Sequence, residues 1–159
     1  MDETEREEET PKERANRELI ELLNELRVVL PGVTVLLAFL LAVPFSNGWT
    51  RVTGFQRDVF VVAFLSTAVS VALLTAPSSY HRLRFRQDDK EHMVKISNRL
   101  SIAGIVASAV SLEAVVVLVM DSVVSRGAAV VAAVGLFAVI ALLWYGLALV
   151  DVLRDRSAR

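Results

Sequence analysis

Residues 100–120 have the sequence LSIAGIVASAVSLEAVVVLVM, in which Glu113 is the only acidic or basic side chain. At 1.5 Å per residue, a helix of this length is ~30 Å long, which matches the hydrocarbon core of a bilayer. Three further stretches of similar length contain no acidic or basic residue at all: 28–45, 59–77 and 127–150. Four such segments in 159 residues leave too little polar surface for a water-soluble globule. The sequence therefore predicts an all-α, polytopic membrane protein, a four-transmembrane-helix bundle over residues 28–150.

The overall composition points the same way, with 54% hydrophobic residues and a mean hydropathy of +0.51. The chain has no cysteine, so it offers neither a disulfide, nor a thiolate metal site, nor a thiol nucleophile. Its first residues, MDETEREEETPKER, are acidic, whereas a signal peptide begins with a basic region. We therefore expect internal segments to direct membrane insertion.

Lysine and arginine are distributed unequally between the connections. Residues 1–27, 78–99 and 151–159 contain 14 of them, and the two remaining connections contain three. Basic residues accumulate in the cytoplasmic connections of membrane proteins. The sequence therefore predicts that both termini and the middle loop are cytoplasmic.

Two segments precede the first span. Residues 1–10 are predicted to be a disordered acidic tail, and residues 11–30 an amphipathic cytoplasmic helix. The apolar side of that helix repeats at helical spacing: Leu19, Leu22, Leu23, Leu26 and Leu30. Residues 1–27 carry a net charge of −5, which anionic lipid would repel, so we favour a helix that lies in water over the bundle. A coiled-coil or partner-docking helix is the alternative.

Two further predictions concern the junction before the first span and the tail after the fourth span. Pro31 and Gly32 permit a kink where the predicted amphipathic helix meets the first span. Residues 151–159 are predicted to be a short cytoplasmic tail.

The middle connection alternates basic residues with apolar and aromatic ones. Its predicted inner-leaflet lipid contacts are Tyr80, His81, Arg82, Arg84 and Arg86. The only two histidines, His81 and His92, lack the spacing of metal ligands, so we expect neither a metal nor a cofactor. The basic patch is short and borders the membrane, so membrane lipids are the expected partners and nucleic acid is not.

Small residues define a helix-packing seam on the third span. Its members recur with a 4-3-4-3 spacing, which places them on one helix face: Ser97, Ser101, Gly104, Ser108 and Ser111. The second span has a matching face with Ala63, Ser66 and Ser70, and the fourth has Ala128, Ala132, Gly135 and Gly146 near one stripe. Such seams let helices approach closely, so packing is the favoured interpretation. A polar conduction path along the serines is the alternative.

Glu113 is a candidate proton or cation site. A carboxylate at the middle of a membrane helix costs roughly 2.5–3.5 kcal/mol to insert, so its presence invites a functional explanation. It lies two residues from Ser111, about 200° around the helix, and so faces away from the seam. Three interpretations remain open: a protonated group bonded to a neighbouring helix, a group at an oligomer interface, or a proton or cation site.

Three phrases carry a resemblance to a known family: ELLNELRVVLPGVTVLLAFLLAVPF (Glu21–Phe45), TAPSSYHRLRFR (Thr75–Arg86) and NRLSIAGI (Asn98–Ile105). Together, and in this order, they resemble small four-span bacterial membrane proteins that are classed as a domain of unknown function. The resemblance implies a shared fold and residence in a bacterial inner membrane as a multi-pass protein. Some relatives carry a sodium/proton antiporter label, but the resemblance supplies no site residues.

Three functions are weighed from the sequence. The favoured one is a non-enzymatic integral membrane protein that forms homo-oligomers or assists another membrane protein. The alternative is a small proton-coupled cation transporter or channel that uses Glu113. An enzyme acting on lipid headgroups through Tyr80, His81 and Arg82 lacks a nucleophile–base pair, so we expect no catalytic residues.

Overall fold

The computed structural model describes residues 11–83 and 90–146. Its four α-helices are α1 (Pro11–Ala42), α2 (Gly54–Leu83), α3 (Lys90–Val123) and α4 (Arg126–Ala141), and α4 continues as a π-helical segment, Leu142–Gly146. Two short 3₁₀-helices, Val43–Phe45 and Trp49–Arg51, connect α1 to α2. The described part of the chain contains no strand. The predicted all-α fold is therefore confirmed.

All four helices are long and apolar enough to cross a membrane. The candidate spans are Arg17–Phe45, Gly54–Tyr80, His92–Val123 and Arg126–Trp144. Large apolar side chains are exposed along them, including Phe39 at 69% and Phe137 at 67%. A water-soluble protein would bury such side chains, whereas lipid solvates them. The four-span prediction is confirmed in number.

Helix α1 contains both the predicted amphipathic segment and the first span without interruption. It continues through Pro31, where the sequence permits a kink. One buried residue in every seven marks its inner side: Leu19, Leu26, Val33 and Leu40. Leu26 and Val33 lie on either side of Pro31 and belong to one core cluster with Leu74 of α2. Packing on both sides of the proline therefore holds the helix together across the missing backbone donor.

The chain divides into two compact units. The first comprises the described residues of Met1–Phe39 and Ser66–Ser108. Its core is the cluster of Leu26, Val33 and Leu74, against which further apolar side chains of α1, α2 and α3 pack: Leu22, Leu30, Val71 and Ile105.

The second unit comprises Leu40–Leu65 and the described residues of Ala109–Arg159. Trp49 contacts Phe60 edge to face, with ring centroids 4.8 Å apart, and Phe60 stacks on Phe64 at 6.1 Å. Such aromatic pairs contribute about 0.5–1.5 kcal/mol each beyond the area that they bury. Helix α4 begins at the N-cap Ser125, whose Oγ accepts a hydrogen bond from the backbone N–H of Ala128 at 3.2 Å. This cap satisfies one of the free N–H groups of the helix start.

Helix α4 packs differently from the predicted stripe. Ala129 is its buried residue. Ala128 and Ala132 are half-buried, and Gly135 is exposed with no atom of the described chain within 4 Å of the position of a Cβ. The predicted small-residue stripe of α4 is therefore only partly enclosed among the described residues.

Several predictions lie outside the described residues. They concern the acidic tail at 1–10, the end of the fourth span at 147–150 and the C-terminal tail at 151–159.

Candidate functional site

In the first unit, the predicted seam of α3 packs directly against α2. The hydroxyl of Ser70, which is fully buried, donates a hydrogen bond of 2.7 Å to the backbone carbonyl of Gly104. A Cβ on Gly104 would lie 2.8 Å from both Cγ and Cδ2 of Leu74. The absence of a side chain at Gly104 is therefore what lets the two backbones approach closely enough for this bond.

In the second unit, a similar bond joins the same two helices. Ser111 is fully buried and donates a hydrogen bond of 3.0 Å to the backbone carbonyl of Ala63. Ala63 is itself fully buried, as is the nearby Thr67. The sequence had placed Ser66 on this face, but Ser66 is half-buried and Thr67 occupies the more enclosed position.

The remaining seam hydroxyls have local roles. Ser101 donates to the carbonyl of Ser97 one turn earlier, at 2.9 Å, and the half-buried Ser108 donates to Ile105 at 2.7 Å. The buried Ser97 Oγ has no hydrogen-bond partner among the described residues. The seam thus consists mainly of hydroxyls that bond to backbone carbonyls, which is how such groups act in helix packing.

Glu113 occupies a half-buried position on α3, next to the buried Ala114. Its Oε1 is enclosed and has no hydrogen-bond partner within the described residues. An enclosed polar atom without a partner costs free energy, and Oε1 of Glu113 is the one enclosed carboxyl oxygen of the described residues that lacks a donor. The described residues also contain no group of three His, Asp and Glu side chains that could hold a metal.

Sequence reasoning missed a polar cluster at the ends of α2, α3 and α4. The Asp121 side chain, which is only 6% exposed, forms an ion pair with Arg126 and accepts a hydrogen bond of 2.9 Å from the Gln56 amide. The Arg126 guanidinium lies over the Phe55 ring, 3.6 Å from its centroid. The sequence showed these residues only as parts of connections, because their pairing depends on where three helix ends meet.

The predicted lipid-contact residues are partly described. Tyr80 is half-buried and Arg82 is exposed, and both lie in the last turns of α2. His81 belongs to the same helix, but its side chain is outside the description, and Arg84 and Arg86 lie in the undescribed segment 84–89.

A second feature missed from the sequence is a cleft between α1 and α2 in the first unit, called the α1–α2 cleft below. Arg82 lines it together with Arg27 and three hydroxyl-bearing residues: Thr75, Ser78 and Ser79. The sequence signal for the cleft is weak, because Arg27 and Arg82 are far apart in the chain and converge only when α1 packs on α2.

This architecture defines the class: a multi-pass membrane protein with four apolar helices, in which α2 and α3 are joined through small and hydroxyl-bearing residues. Within that class, the chain belongs to the family described as "Family of unknown function (DUF6328)", whose model matches residues 8–148. No curated protein and no solved structure matches the chain. The predicted resemblance to a family of unknown function is thereby confirmed.

Proposed function

We propose that this chain is a non-enzymatic membrane protein that acts through assembly, either as a homo-oligomer or by assisting another membrane protein. The observation that carries the proposal is how the seam hydroxyls are used. Ser70 and Ser111 each donate to a backbone carbonyl of the facing helix, so they hold helices together and do not line a polar path. These two hydroxyls are thus structural, so we seek the function at the surface.

The surface of α4 supports assembly. Its buried residue is Ala129, and its large apolar side chains point outward: Val130, Val131, Val134, Phe137 and Val139. Helices associate in lipid through close packing of small and apolar side chains, and α4 offers such a surface along its described length.

The experiment is a mass measurement of the protein in mild detergent, by light scattering and by native mass spectrometry. A discrete oligomer over a wide range of concentrations, or a second membrane protein that co-purifies at a fixed ratio, supports the proposal. A monomer at every concentration, with no protein bound at a fixed ratio, would contradict it.

We also propose that the protein resides in the inner membrane of a bacterial cell with both termini in the cytoplasm. The proposal rests on the 14 basic residues of the terminal and middle segments against three in the other connections. The chain has no cysteine, so single introduced thiols can report sidedness. In intact cells, a membrane-impermeant thiol reagent should label Asn47→Cys and should not label Asn24→Cys until the membrane is opened. The reverse pattern would overturn the orientation.

A second candidate function is proton-coupled cation transport through Glu113. The enclosed Oε1, for which the described fold supplies no donor, favours it. In proteoliposomes with an imposed pH gradient, this function requires sodium-dependent proton flux that is lost in Glu113→Gln. Glu18→Gln serves as the matched control, because it is the same substitution at an exposed carboxylate of α1. Unchanged flux in Glu113→Gln, or none in the wild type, removes this candidate.

A further inference from the structure

We propose that the α1–α2 cleft binds the phosphate group of an anionic phospholipid. The cleft has a volume of about 430 Å³ and lies wholly within the first unit. That volume falls within the ~300–1,000 Å³ typical of small-molecule sites and is large enough for a phosphate with its glycerol neighbour. The proposal is independent of whether the protein assembles.

The polar lining of the cleft suits an anion. Arg27 contributes a guanidinium from α1 and Arg82 contributes one from α2, and none of the described lining residues is acidic. Guanidinium groups bind phosphate oxygens through paired hydrogen bonds, and serine or threonine hydroxyls complete such sites. Ser78 and Ser79 are exposed on the same wall, so their hydroxyls are accessible to a ligand.

Among the described residues, the two arginines have no carboxylate partner, unlike Arg17 and Arg126. Arg17 pairs with Glu21, and Arg126 pairs with Asp121. Neither Arg27 nor Arg82 forms an ion pair with a carboxylate of the described residues. Two guanidinium groups that face one cleft without a counter-charge repel each other, and a bound anion relieves that repulsion.

The depth of the cleft matches the phosphate layer of a bilayer. The apolar part of α1 starts at Val28, directly after Arg27, and that of α2 ends at Pro77, five residues before Arg82. At 1.5 Å per residue, Arg82 lies ~8 Å beyond the last apolar turn of α2. The headgroup layer on each side of the hydrocarbon core is of that thickness, about 5–8 Å.

The apolar lining distinguishes a lipid from a free anion. Four leucines form the rest of the wall: Leu23, Leu26, Leu30 and Leu74. Leu74 and Leu26 are buried in the helix contact itself, whereas Leu23 and Leu30 are half-buried and so present part of their surface to the cleft. A free phosphate gains nothing from these side chains, but the glycerol and first acyl carbons of a lipid do.

The test compares lipid binding by three versions of the full-length protein, delipidated in mild detergent and titrated with phosphatidylglycerol or phosphatidylcholine. Native mass spectrometry counts the bound lipids. The versions are the wild type, the double variant R27Q/R82Q and the control R99Q. Arg99 is an exposed arginine that directly precedes the apolar part of α3 and does not line the cleft.

We expect the wild type to retain one phosphatidylglycerol in preference to phosphatidylcholine. The double variant should bind it about 30-fold more weakly, since each basic group near an anionic lipid contributes about fivefold. R99Q should stay within about twofold of the wild type, because Arg99 does not line the cleft. Circular dichroism checks that the variants keep their helicity.

Three outcomes would overturn the proposal. Equal weakening in R99Q would show a general surface charge effect, and unchanged binding in R27Q/R82Q would show that the cleft is not the site. Complete displacement of the lipid by millimolar inorganic phosphate would identify a free anion as the ligand instead.

Discussion

Replacing Gly104 by alanine tests the close contact between α2 and α3 in the first unit. The new Cβ would lie 2.8 Å from Cγ and Cδ2 of Leu74 and 3.3 Å from Cβ of Leu73. Ordinary carbon–carbon contacts are ~3.5–4.0 Å, so α3 or Leu74 must move by roughly 1 Å. Leu74 is only 1% exposed and belongs to the core cluster with Leu26 and Val33, so its rotation would disturb that packing. We therefore expect the helices to separate.

The expected cost follows from two terms. Overpacking of a buried contact costs typically ~1–3 kcal/mol. Separation of the helices also weakens the 2.7 Å bond from Ser70 to the Gly104 carbonyl, which contributes about 0.6 kcal/mol. Together the free energy of unfolding should fall by about 2.6 kcal/mol, before the gain from the higher helix propensity of alanine.

Gly135→Ala is the matched control. It is the same substitution in a helix, at an exposed position with no described atom within 4 Å of the added Cβ. The gain in helix propensity is therefore the same in both variants. The free energy of unfolding of Gly104→Ala should be about 2.6 kcal/mol lower than that of Gly135→Ala. The measurement is an unfolding titration with sodium dodecyl sulfate in mixed micelles, followed by far-UV circular dichroism.

A double-mutant cycle with Leu74→Ala identifies the cause. Removing the Leu74 side chain creates a cavity where the new methyl would lie, so Gly104→Ala should cost little or nothing in that background. If Gly104→Ala and Gly135→Ala unfolded at the same detergent fraction, or if the cost of Gly104→Ala persisted without Leu74, the reasoning about this contact would be refuted.

Three further predictions use the same titration. Ser111→Ala should lower the free energy of unfolding by about 0.6 kcal/mol, because the Ser111 hydroxyl bonds to the facing helix. Ser108→Ala should lower it by less, because the Ser108 hydroxyl bonds within its own helix. Equal effects of the two variants would contradict this prediction. Asp121→Ala should lower the detergent fraction at the unfolding midpoint. This decrease should be smaller at high salt, because salt screens the ion pair between Asp121 and Arg126. A decrease that does not depend on salt would contradict a stabilising role of the ion pair. Glu113→Gln should keep or raise the midpoint, because Oε1 has no hydrogen-bond partner among the described residues, and a clear drop would reveal a partner.

The number of spans could be predicted because each span is a property of a single segment. An apolar run of membrane length forms a helix wherever it inserts, since lipid offers no other partner for its backbone groups. The spacing of Ser97, Ser101, Gly104 and Ser111 likewise defines one face of α3 by helix geometry alone, and all four residues are buried. On the facing helix α2, Thr67 occupies the enclosed position that the sequence had suggested for Ser66.

Features that depend on two or more helices could not be predicted in this way. The α1–α2 cleft forms only when Arg27 and Arg82 come together, and no sequence pattern links these two distant residues. The cluster around Asp121 depends on the meeting of three helix ends. Helix α1 continues through Pro31 because Leu26 and Val33 pack on either side of it. This packing could not be predicted from the proline alone.

Helix α1 runs without a break from its charged end to its apolar end, so we expect the two ends to move together. Its 32 residues form a rod of ~48 Å that carries charged side chains at one end and apolar side chains at the other. The rod has no hinge loop where the two parts meet, so a force applied near Glu18 is transmitted as tilt or rotation of the segment beyond Val28. We therefore expect a molecule that binds the exposed side of this helix near its charged end to displace the apolar end as well, without contacting it.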